Sequence, residues 1–366
     1  MSTVAQVKLW RVNLPLFEPY HTTLGVADAF DSIVTEITDS DGRSGFGEAT
    51  IIPGYTHETG DGGWATCTQQ AELMLGRELD AAKAQLVPLI PEHPHAMSIL
   101  HVAVEMLQAN PTLAASKVRT RVPILTAVNS KDLDAIPQEV EKHIVAGFST
   151  LKIKVGWDVD KDLERLALIQ RVNAGRATLR LDANQGFDEA QAIRFATAFD
   201  PKSIELFEQP CHSADWDANA AVAAVSNVPV MMDESIYGLP DIERAGAMQG
   251  CGFVKLKIAK MVSVDTLVEG LQRIRQLGMS PVLGNGAGPD VGCLIEACVA
   301  RETISNAGEN CGFLKSRVQL LDPPLEFKDG AIELPAGMVP KLNHAELEKH
   351  AVATHSSKPT QVSSGV

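Results

Sequence analysis

The chain has 366 residues, 45% of them hydrophobic, and a formal net charge of −14. The length favours one large domain with a smaller one, and the acidic charge argues against nucleic acid or an anionic membrane as a partner, because both attract a basic surface. The six cysteines form no CxxC pattern, and the absence of a secretory signal and of an 18-residue apolar run favours a cytoplasmic protein with reduced thiols.

Residues 1–115 are predicted to form an α+β domain. Short alternating segments indicate antiparallel strands, and Asp39–Gly42 has the composition of a turn between two of them. Longer apolar patterns that follow indicate helices. The predicted strands are Val7–Leu14, Ser32–Thr38 and Ser44–Glu48, and the predicted helices are Thr68–Leu75 and Ala96–Ala109.

Two segments of this first domain have the composition of loops, Glu18–Gly25 and Pro53–Trp64. Mobile, glycine-containing loops with aromatic residues are typical of a lid over an active site. We therefore predict that Tyr20 and Tyr55 contact a substrate. The alternative is a pair of ordinary surface loops.

Residues 116–320 alternate short apolar strands with helices, which predicts parallel strands with right-handed crossovers. So many units in about 200 residues favour an α/β fold of the (β/α)7β type, a TIM-like barrel. The predicted strands are Val122–Ala127, Thr150–Val155, Thr178–Asn184, Ser203–Glu208, Pro229–Asp233, Phe253–Ala259 and Pro281–Gly284, with a weak eighth at Ser305–Gly308. The predicted helices include Asp160–Val172, Glu189–Phe199, Pro240–Met248, Val264–Leu277 and Val291–Thr303.

The segment after the barrel, residues 321–343, is predicted to return to the first domain. It contains a short hairpin, Leu325–Leu334, around the turn Asp329-Gly330. Residues 344–366 are predicted to be a flexible tail, because their end is rich in Ser, Thr and Lys.

Three carboxylates lie at the carboxyl ends of three successive predicted strands: Asp182, Glu208 and Asp233. In a parallel barrel these ends meet at one rim. A single carboxylate after a strand more often caps the next helix, but three at one rim suit Mg²⁺, which prefers oxygen ligands. The sequence therefore predicts a metal site.

The two strands that flank these carboxylates each carry two lysines at alternate positions, Lys152 with Lys154 and Lys255 with Lys257. Alternate residues share one face of a strand, so each pair is predicted to point into the barrel. A buried ammonium needs an anionic partner or a chemical role. Because strands two and six lie opposite each other in an eight-stranded barrel, Lys154 and Lys257 would meet a central substrate from two sides. For Lys152 and Lys255, the alternative is a side chain that extends to solvent.

These elements resemble the ordered motif set of the enolase superfamily, and more narrowly of its muconate lactonizing enzyme subgroup. The resemblance covers nearly the whole chain, including a capping domain before the barrel. The motifs are Leu151-Lys-Ile-Lys154, Leu181-Asp-Ala-Asn-Gln185, Phe207-Glu-Gln-Pro210, Met232-Asp-Glu-Ser235 and Leu256-Lys-Ile-Ala-Lys260.

The resemblance implies that Asp182, Glu208 and Asp233 bind Mg²⁺, with Mn²⁺ as a substitute. Lys154 and Lys257 would be the acid–base pair, and Lys152 would tune Lys154 and touch the substrate carboxylate. Asn184 and Glu234 would orient the site. It further implies removal of the proton α to the carboxylate of a small molecule through an enediolate, a strategy typical of this superfamily. We also expect a homo-oligomer.

One motif departs from the subgroup, in which strand seven usually ends in an acidic residue. Here the stretch is Leu283-Gly-Asn-Gly-Ala-Gly-Pro-Asp290, which places Asn285 near that position as a candidate substrate contact. An alternative alignment would use Glu296, which lies in a predicted helix. Glu309, after the last strand, is a second candidate and would meet a cationic group of the substrate, unless it is a solvated surface charge.

The leading hypothesis is a Mg²⁺-dependent racemase or epimerase of an amino-acid derivative or a similar carboxylate. A cycloisomerase of the muconate type, or a dehydratase, would use the same residues with one working lysine. A metal-dependent hydrolase on the same barrel would need histidine ligands, and only His212 lies near a strand end. A non-catalytic binding barrel would not need lysines on two faces.

Overall fold

The computed structural model describes residues 2–22, 25–52 and 55–358. An antiparallel sheet with helices begins the chain, and a parallel strand–helix barrel follows it. None of the helices in these ranges is both long and apolar enough to cross a membrane.

Within the described residues, the first domain contains three antiparallel strands and three helices, and the fourth strand of its sheet comes from the end of the chain, Ala351–Ser357. The elements are β1 (Val4–Thr22), β2 (Gly25–Asp39), β3 (Ser44–Thr50), α1 (Gly60–Met74), α2 (Leu79–Ala84), a 3-10 turn (Val87–Leu89) and α3 (Pro94–Leu107).

The prediction of a loop at Glu18–Gly25 was wrong for the residues that the structure describes. Residues 18–22 continue β1, and Gly25 begins β2, with Tyr20 paired to Ala27. The polar composition concealed this pairing, because the hairpin extends beyond the buried part of the sheet. In the second predicted loop, residues 60–64 already belong to α1, while residues 23–24 and 53–54 lie outside the described ranges.

The barrel contains seven parallel strands in sequential order, β5 to β11. Each is followed by at least one helix, as strand–helix alternation predicts. The elements are β4 (Thr120–Pro123), β5 (Thr126–Val128), α4 (Ile136–Val145), β6 (Thr150–Lys154), α5 (Val159–Asn173), β7 (Thr178–Asp182), α6 (Glu189–Ala198), β8 (Ile204–Glu208), α7 (Trp216–Val225), β9 (Val230–Met232), α8 (Leu239–Gly246), β10 (Cys251–Leu256), α9 (Ile258–Met261), α10 (Val264–Gln276), β11 (Ser280–Leu283) and α11 (Asp290–Thr303).

The rest of the chain adds a 3-10 turn and small strands that tie the barrel to the first domain. The elements are the turn Gly312–Leu314, β12 (Leu321–Asp322), β13 (Glu326–Lys328), β14 (Ala331–Leu334), β15 (Lys341–Leu342), α12 (His344–His350) and β16 (Ala351–Ser357). The predicted hairpin around Asp329-Gly330 is confirmed as the pair β13–β14.

Three predicted strands differ from the structure. The predicted strand Phe253–Ala259 ends at Leu256, because the chain enters α9 at Ile258. The segment Val122–Ala127 is divided between β4, which pairs antiparallel with β14, and β5, which begins the barrel. The predicted eighth strand is reduced to a bridge at Gly308, which donates to the Pro123 carbonyl and accepts from the Leu125 N–H, both at 2.9 Å. Glu309 N–H donates to the Leu283 carbonyl at 2.8 Å. This segment therefore joins the last strand to the first and closes the TIM-like barrel.

The predicted flexible tail was wrong for residues 344–357. The Asn343 side chain caps the first turn of α12, and Leu347 anchors that helix in the core. β16 then pairs with β1, from Ala351 opposite Val12 to Ser357 opposite Val7. The polar composition hid this strand because backbone hydrogen bonds to an open sheet edge need no apolar pattern. Residues 359–366 lie outside the described ranges.

The barrel interior has an apolar layer below a charged one. The lower layer contains Leu206, Met231 and Val282, against which Phe253 packs. Because side chains alternate along a strand, the next inward positions lie at or just beyond the carboxyl ends of the same strands. Those positions hold the predicted site residues.

Candidate active site

The carboxyl ends of the barrel strands bring the predicted lysines and carboxylates into one buried cluster. Lys152 and Lys154 lie on β6 and Lys255 on β10, whereas Lys257 lies between the end of β10 and the first residue of α9. Each of the clustered residues is at most 6% exposed: Lys152, Lys154, Asp182, Glu208, Asp233, Lys255, Lys257 and Glu309. Above the cluster lies a cavity of 40 Å³, whose wall also includes Tyr20, Tyr55, His95 and Asn285.

Lys152 lies at the centre of the carboxylates. Its Nζ is 2.7 Å from Asp182 Oδ2, 2.7 Å from Glu208 Oε2 and 2.6 Å from Glu309 Oε1. The alternative of a lysine that extends to solvent is therefore wrong for Lys152. These three carboxylates raise its pKa above the ordinary value, although burial alone would lower it.

Lys154 lies at the cavity wall, where its Nζ donates to Asp182 Oδ2 at 2.6 Å and to the side-chain oxygen of Asn184. Burial would lower the pKa of Lys154, but the Asp182 carboxylate raises it above the usual range. In this geometry the side chain is an ammonium and hence a proton donor.

Lys255 is also buried and paired, so the solvent alternative is wrong for it too. Its Nζ lies 2.9 Å from Glu208 Oε1, 3.2 Å from Asp233 Oδ2 and 2.5 Å from Glu309 Oε2. Glu309 thus has one lysine on each carboxylate oxygen, Lys152 and Lys255. The interpretation of Glu309 as a solvated surface charge is wrong, because Glu309 is buried and each of its oxygens accepts from a lysine.

Lys257 contacts both domains. Its Nζ lies 2.9 Å from Asp233 Oδ2, donates to the Tyr55 hydroxyl, and lies 4.0 Å from the centre of the Tyr55 ring. The Tyr55 hydroxyl in turn donates to Asp233 Oδ1 at 2.9 Å. Lys260 donates to the same Asp233 oxygen at 2.9 Å, which gives this lysine a structural role.

Opposing effects of burial and charge set the pKa values of the carboxylates. Burial would raise the pKa of Asp182, but Lys152 and Lys154 lower it to about 2. Burial and the neighbouring Asp182 carboxylate raise the pKa of Glu208 to about 8. Burial opposes ionisation of Asp233 as well, yet Lys255, Lys257 and Lys260 hold its pKa far below the ordinary value.

Three carboxylates have oxygen atoms within 4.8 Å of one another, as a shared cation requires: Glu208, Asp233 and Glu234. Glu234 Oε2 is buried and accepts no hydrogen bond within the described residues. Asp182 is not part of this group of three. Lys152 and Lys154 approach its Oδ2, and Asn184 N–H donates to its Oδ1 at 2.8 Å. The donor set of buried carboxylates fits a hard divalent cation.

Asn184 lies between Lys154 and Glu234. Its amide nitrogen donates to Glu234 Oε1 at 2.9 Å. Its backbone adopts φ of +40°, an unusual conformation for a non-glycine residue, which turns the chain sharply after β7. The resulting contacts orient both Lys154 and Glu234.

The glycine-rich turn after β11 packs closely against the segment that closes the barrel. Gly284 has φ of +125°, and a β-carbon on it would lie 2.5 Å from the backbone nitrogen of Asn310, so a larger residue does not fit. Asn285 lies on the cavity wall. Glu296 lies behind it and accepts from the N–H groups of Asn285 at 2.8 Å and Ile258 at 3.2 Å, so it holds the turn from outside the cavity.

Sequence reasoning missed a second acid–base pair beside the cavity. His95 Nδ1 lies 2.7 Å from Glu58 Oε2, and Glu58 also accepts from the N–H groups of His95 and Ala96 at the start of α3. The His95 ring meets the Tyr55 ring edge-on, with the ring centres 6.3 Å apart. No periodic pattern identifies this pair, because Glu58 is far from His95 in sequence. His212, weighed above as a hydrolase ligand, is exposed and does not line the cavity among the described residues.

Comparison with known proteins identifies related barrels. The family model described as "Enolase C-terminal domain-like" matches residues 135–338. Among solved structures, a dipeptide epimerase from Cytophaga hutchinsonii, described as complexed with Mg and the dipeptide D-Ala-L-Val, is similar with a TM-score of 0.87 and 21% identity over 97% of this chain and 99% of its own. A muconate lactonizing enzyme from Pseudomonas fluorescens also gives a TM-score of 0.87, with 24% identity over 96% and 99% of the two chains.

Curated relatives are similar over most of their length. An "Aromatic dipeptide epimerase" from Herpetosiphon aurantiacus is 28% identical over 85% of this chain and 88% of its own. An "L-amino acid-D/L-Glu epimerase" from Francisella philomiragia is 26% identical over 81% of this chain and 84% of its own.

Proposed function

The chain belongs to the enolase C-terminal domain-like family, within the enolase superfamily, and we propose that it is a metal-dependent racemase or epimerase that acts at the carbon α to a carboxylate. The observation that carries this proposal is the position of Lys154 and Lys257 on the wall of one cavity. Lys154 ends β6 and Lys257 directly follows β10, with three strands between these two in the sheet. Two proton-transfer groups that reach a central carbon from two sides permit removal of a proton from one face and its return on the other.

A divalent cation, Mg²⁺ with Mn²⁺ as a substitute, is part of this proposal. Its ligands would come from Asp182, Glu208 and Asp233, and the position of Glu234 adds this residue to the candidates. Bound there, the cation would stabilise the negative charge that develops on the substrate carboxylate as the α-proton leaves. Two features support this assignment: Glu234 Oε2 accepts no hydrogen bond among the described residues, and burial together with Asp182 raises the pKa of Glu208, so a cation would stabilise both carboxylates.

The protein's own groups would position and exchange the proton. Lys152 would touch the substrate carboxylate and hold Asp182, Glu208 and Glu309 together. Lys154 would act on one face of the α-carbon, oriented by Asn184, and Lys257 on the other, oriented by Tyr55. The side chains of Tyr20 and Tyr55 from the first domain would exclude water from the small cavity between them and the barrel.

The substrate would be an amino-acid derivative, because the curated relatives named above are epimerases of amino acids or dipeptides. A cycloisomerase is the second candidate, supported by the motif Leu256-Lys-Ile-Ala-Lys260 and by the fold shared with muconate lactonizing enzyme. It would require only one of the two lysines as a base. Assembly into a homo-oligomer and a cytoplasmic location stay predictions from the sequence.

Deuterium exchange tests the proposal directly. The protein would be incubated in D₂O with Mg²⁺ and a library of amino-acid, dipeptide and N-acylamino-acid stereoisomers, and read by mass shift and polarimetry. A racemase or epimerase incorporates one α-deuterium and converts either stereoisomer to the same mixture. Stereospecific incorporation without inversion would favour a cycloisomerase or lyase, and the absence of exchange from every compound would contradict the proposal.

A further inference from the structure

Lys315 is a lysine of the site region that has only neutral partners. It follows the 3-10 turn Gly312–Leu314, and its Nζ donates to the Gly286 carbonyl at 2.5 Å and to Cys311 Sγ at 3.6 Å. The ammonium also lies 4.9 Å from the centre of the Tyr20 ring. Among the described residues, no carboxylate oxygen lies within 4.0 Å of this nitrogen, whereas Lys152, Lys154, Lys255, Lys257 and Lys260 each have one.

Lys315 is next to the reaction centre. A β-carbon on Gly286 would lie 3.8 Å from Lys315 Nζ, 3.4 Å from the Tyr20 hydroxyl and 3.9 Å from Glu309 Oε2. Because residue 286 is glycine, the space beside its Cα stays open. The Lys315 ammonium, the Tyr20 hydroxyl and the Glu309 carboxylate of the catalytic cluster all border this space. A larger side chain would fill it.

Tyr20 lies in the walls of two neighbouring cavities, and Lys315 lines the larger of them. The cavity above the catalytic cluster measures only 40 Å³ and includes Tyr20 in its wall. Tyr20 also lies in the wall of a cavity of 990 Å³ that includes Lys315. A substrate whose carboxylate lies among the catalytic groups would thus place its distal part beside Tyr20 and Lys315.

The charges around this path favour an anion over a cation. The oxygens of Glu309 accept from Lys152 and Lys255, so the negative charge of Glu309 is already paired with two ammonium groups. Glu139, which lines the larger cavity, accepts from the N–H groups of Asn129 and Ser130. The remaining carboxylates of that wall, Glu18 and Asp132, are exposed. Lys315 is left with unused charge and donor capacity, since an ammonium has three donors.

We propose that Lys315 and the Tyr20 hydroxyl form a subsite for a second carboxylate, so that the substrate is a dianion. Its first carboxylate would occupy the catalytic cluster, and its second, on an acyl group or a side chain, would pair with Lys315. This inference rests on the proposed function, because it takes the catalytic cluster as the place of the first carboxylate. A charge-assisted hydrogen bond of this kind contributes roughly 10- to 100-fold in affinity.

Equilibrium binding tests the subsite without turnover. The probes are N-acylglycines of three acyl lengths, each ending either in a carboxylate or in the primary carboxamide of the same size, titrated calorimetrically in the presence of Mg²⁺. At one of the three lengths at least, the wild-type protein is expected to prefer the carboxylate by about 10-fold or more. Lys315→Met should remove the preference and Lys315→Arg should retain it. Lys142→Met is the matched control, because Lys142 is an exposed lysine of the same large cavity and its loss changes the net charge equally.

The outcomes separate the subsite from the reaction. The subsite is contradicted if the wild-type protein binds none of the probes, or binds the carboxylate and carboxamide probes equally. It is also contradicted if Lys315→Met still prefers the carboxylate probes. The same probes and their chiral analogues are then tested for α-deuterium exchange. Lys315-dependent preference without exchange of any compound would support the subsite and contradict the proposed racemase. Equal α-deuterium exchange of the carboxylate probes and the carboxamide probes would support the racemase and contradict the subsite.

Discussion

Lys255 Nζ lies 2.5 Å from Glu309 Oε2, so an ammonium on β10 meets a carboxylate on the segment that closes the barrel. Lys152, on β6, occupies the other oxygen of Glu309 at 2.6 Å. Glu309 therefore links the two lysine-bearing strands. Buried charges are tolerated only when they are paired, and removing one partner leaves the other charge buried and unpaired. This bridge both stabilises the charged layer of the barrel and places a lysine beside candidate metal ligands.

Replacement of Lys255 by methionine is expected to tighten metal binding and to destabilise the metal-free protein. Lys255 contacts Glu208 and Asp233, so its ammonium competes with a cation for the same carboxylates. Its removal should lower the Kd for Mg²⁺ about 10-fold, equivalent to about 1.4 kcal/mol. In the presence of a chelator, the variant should lose roughly 3–5 kcal/mol of stability, the usual cost of breaking a buried ion pair. Calorimetric titration and thermal unfolding with and without Mg²⁺ measure the two effects.

Lys202→Met serves as the control, because Lys202 is an exposed lysine that forms no ion pair among the described residues. It should change neither quantity. An unchanged or weaker affinity for Mg²⁺ in Lys255→Met would show that Lys255 does not compete with the cation.

Tyr55→Phe is expected to lower kcat by roughly 10- to 100-fold, the range for loss of a hydrogen bond to a charged group. The substitution keeps the ring beside Lys257 but removes the hydroxyl that contacts Lys257 and donates to Asp233. KM should change less, because the lost contacts orient a proton-transfer group. Steady-state kinetics on a substrate found by the exchange assay provide the measurement.

The control for this prediction is Tyr237→Phe. The Tyr237 hydroxyl donates only weakly, at 3.4 Å, to the backbone carbonyl of Tyr55, so its loss leaves Lys257 and Asp233 untouched. Equal losses of kcat in the two variants would indicate that the tyrosines act by general packing and that the hydroxyl of Tyr55 has no special role.

The barrel strands could be predicted from the sequence because each is short, apolar and separated by a helix of regular period. The inward alternation that places Lys152 beside Lys154 is a local property, and the structure confirms it. The predicted end of the sixth barrel strand was wrong. β10 ends at Leu256, one residue before Lys257, because the chain turns into α9 there, and no apolar pattern marks that turn.

Contacts between distant segments account for the rest of what the sequence did not predict. Glu309 pairs with Lys255 because the neighbouring Gly308 closes the barrel. Lys315 lies near Tyr20 because the 3-10 turn Gly312–Leu314 brings the chain back to the first domain. Likewise, β16 requires the open edge of β1. Each of these depends on a partner that is far away in the sequence and has no periodic signal.

Stability is expected to fall with rising pH through the ionisation of Glu48, which joins the first domain to α11. Burial, followed by the nearby Glu296 and Asp290 carboxylates, raises the pKa of Glu48 to about 8, against an unfolded value of about 4.3. The folded state therefore binds the proton more tightly. The stabilisation is complete below the unfolded pKa and is lost as the pH rises through about 8. Relative to Glu48→Gln, the wild-type protein should lose roughly 1–3 kcal/mol between pH 6 and pH 9.

Chemical denaturation of both proteins at the two pH values measures this difference. Glu164→Gln is the control, because Glu164 is exposed on α5, and it should follow the wild-type pH dependence. Parallel pH profiles for wild type and Glu48→Gln would show that Glu48 does not change its ionisation between the folded and unfolded states over this range.

Lys154→Ala and Lys257→Ala are expected to abolish α-proton exchange of opposite stereoisomers. Both lysines line the same cavity, but they come from β6 and from the end of β10, so each reaches its own face of a bound α-carbon. Loss of a proton-transfer group lowers kcat by roughly 10²–10⁴-fold, with a smaller effect on KM. Each variant should therefore still exchange the proton of one enantiomer with D₂O while losing net racemisation. Mass spectrometry of separated enantiomers measures the exchange, with Lys161→Ala, an exposed lysine on α5, as the control. Full racemisation by either variant would exclude the two-base mechanism, and loss of exchange on both faces in only one of them would indicate a single working lysine, as in a cycloisomerase.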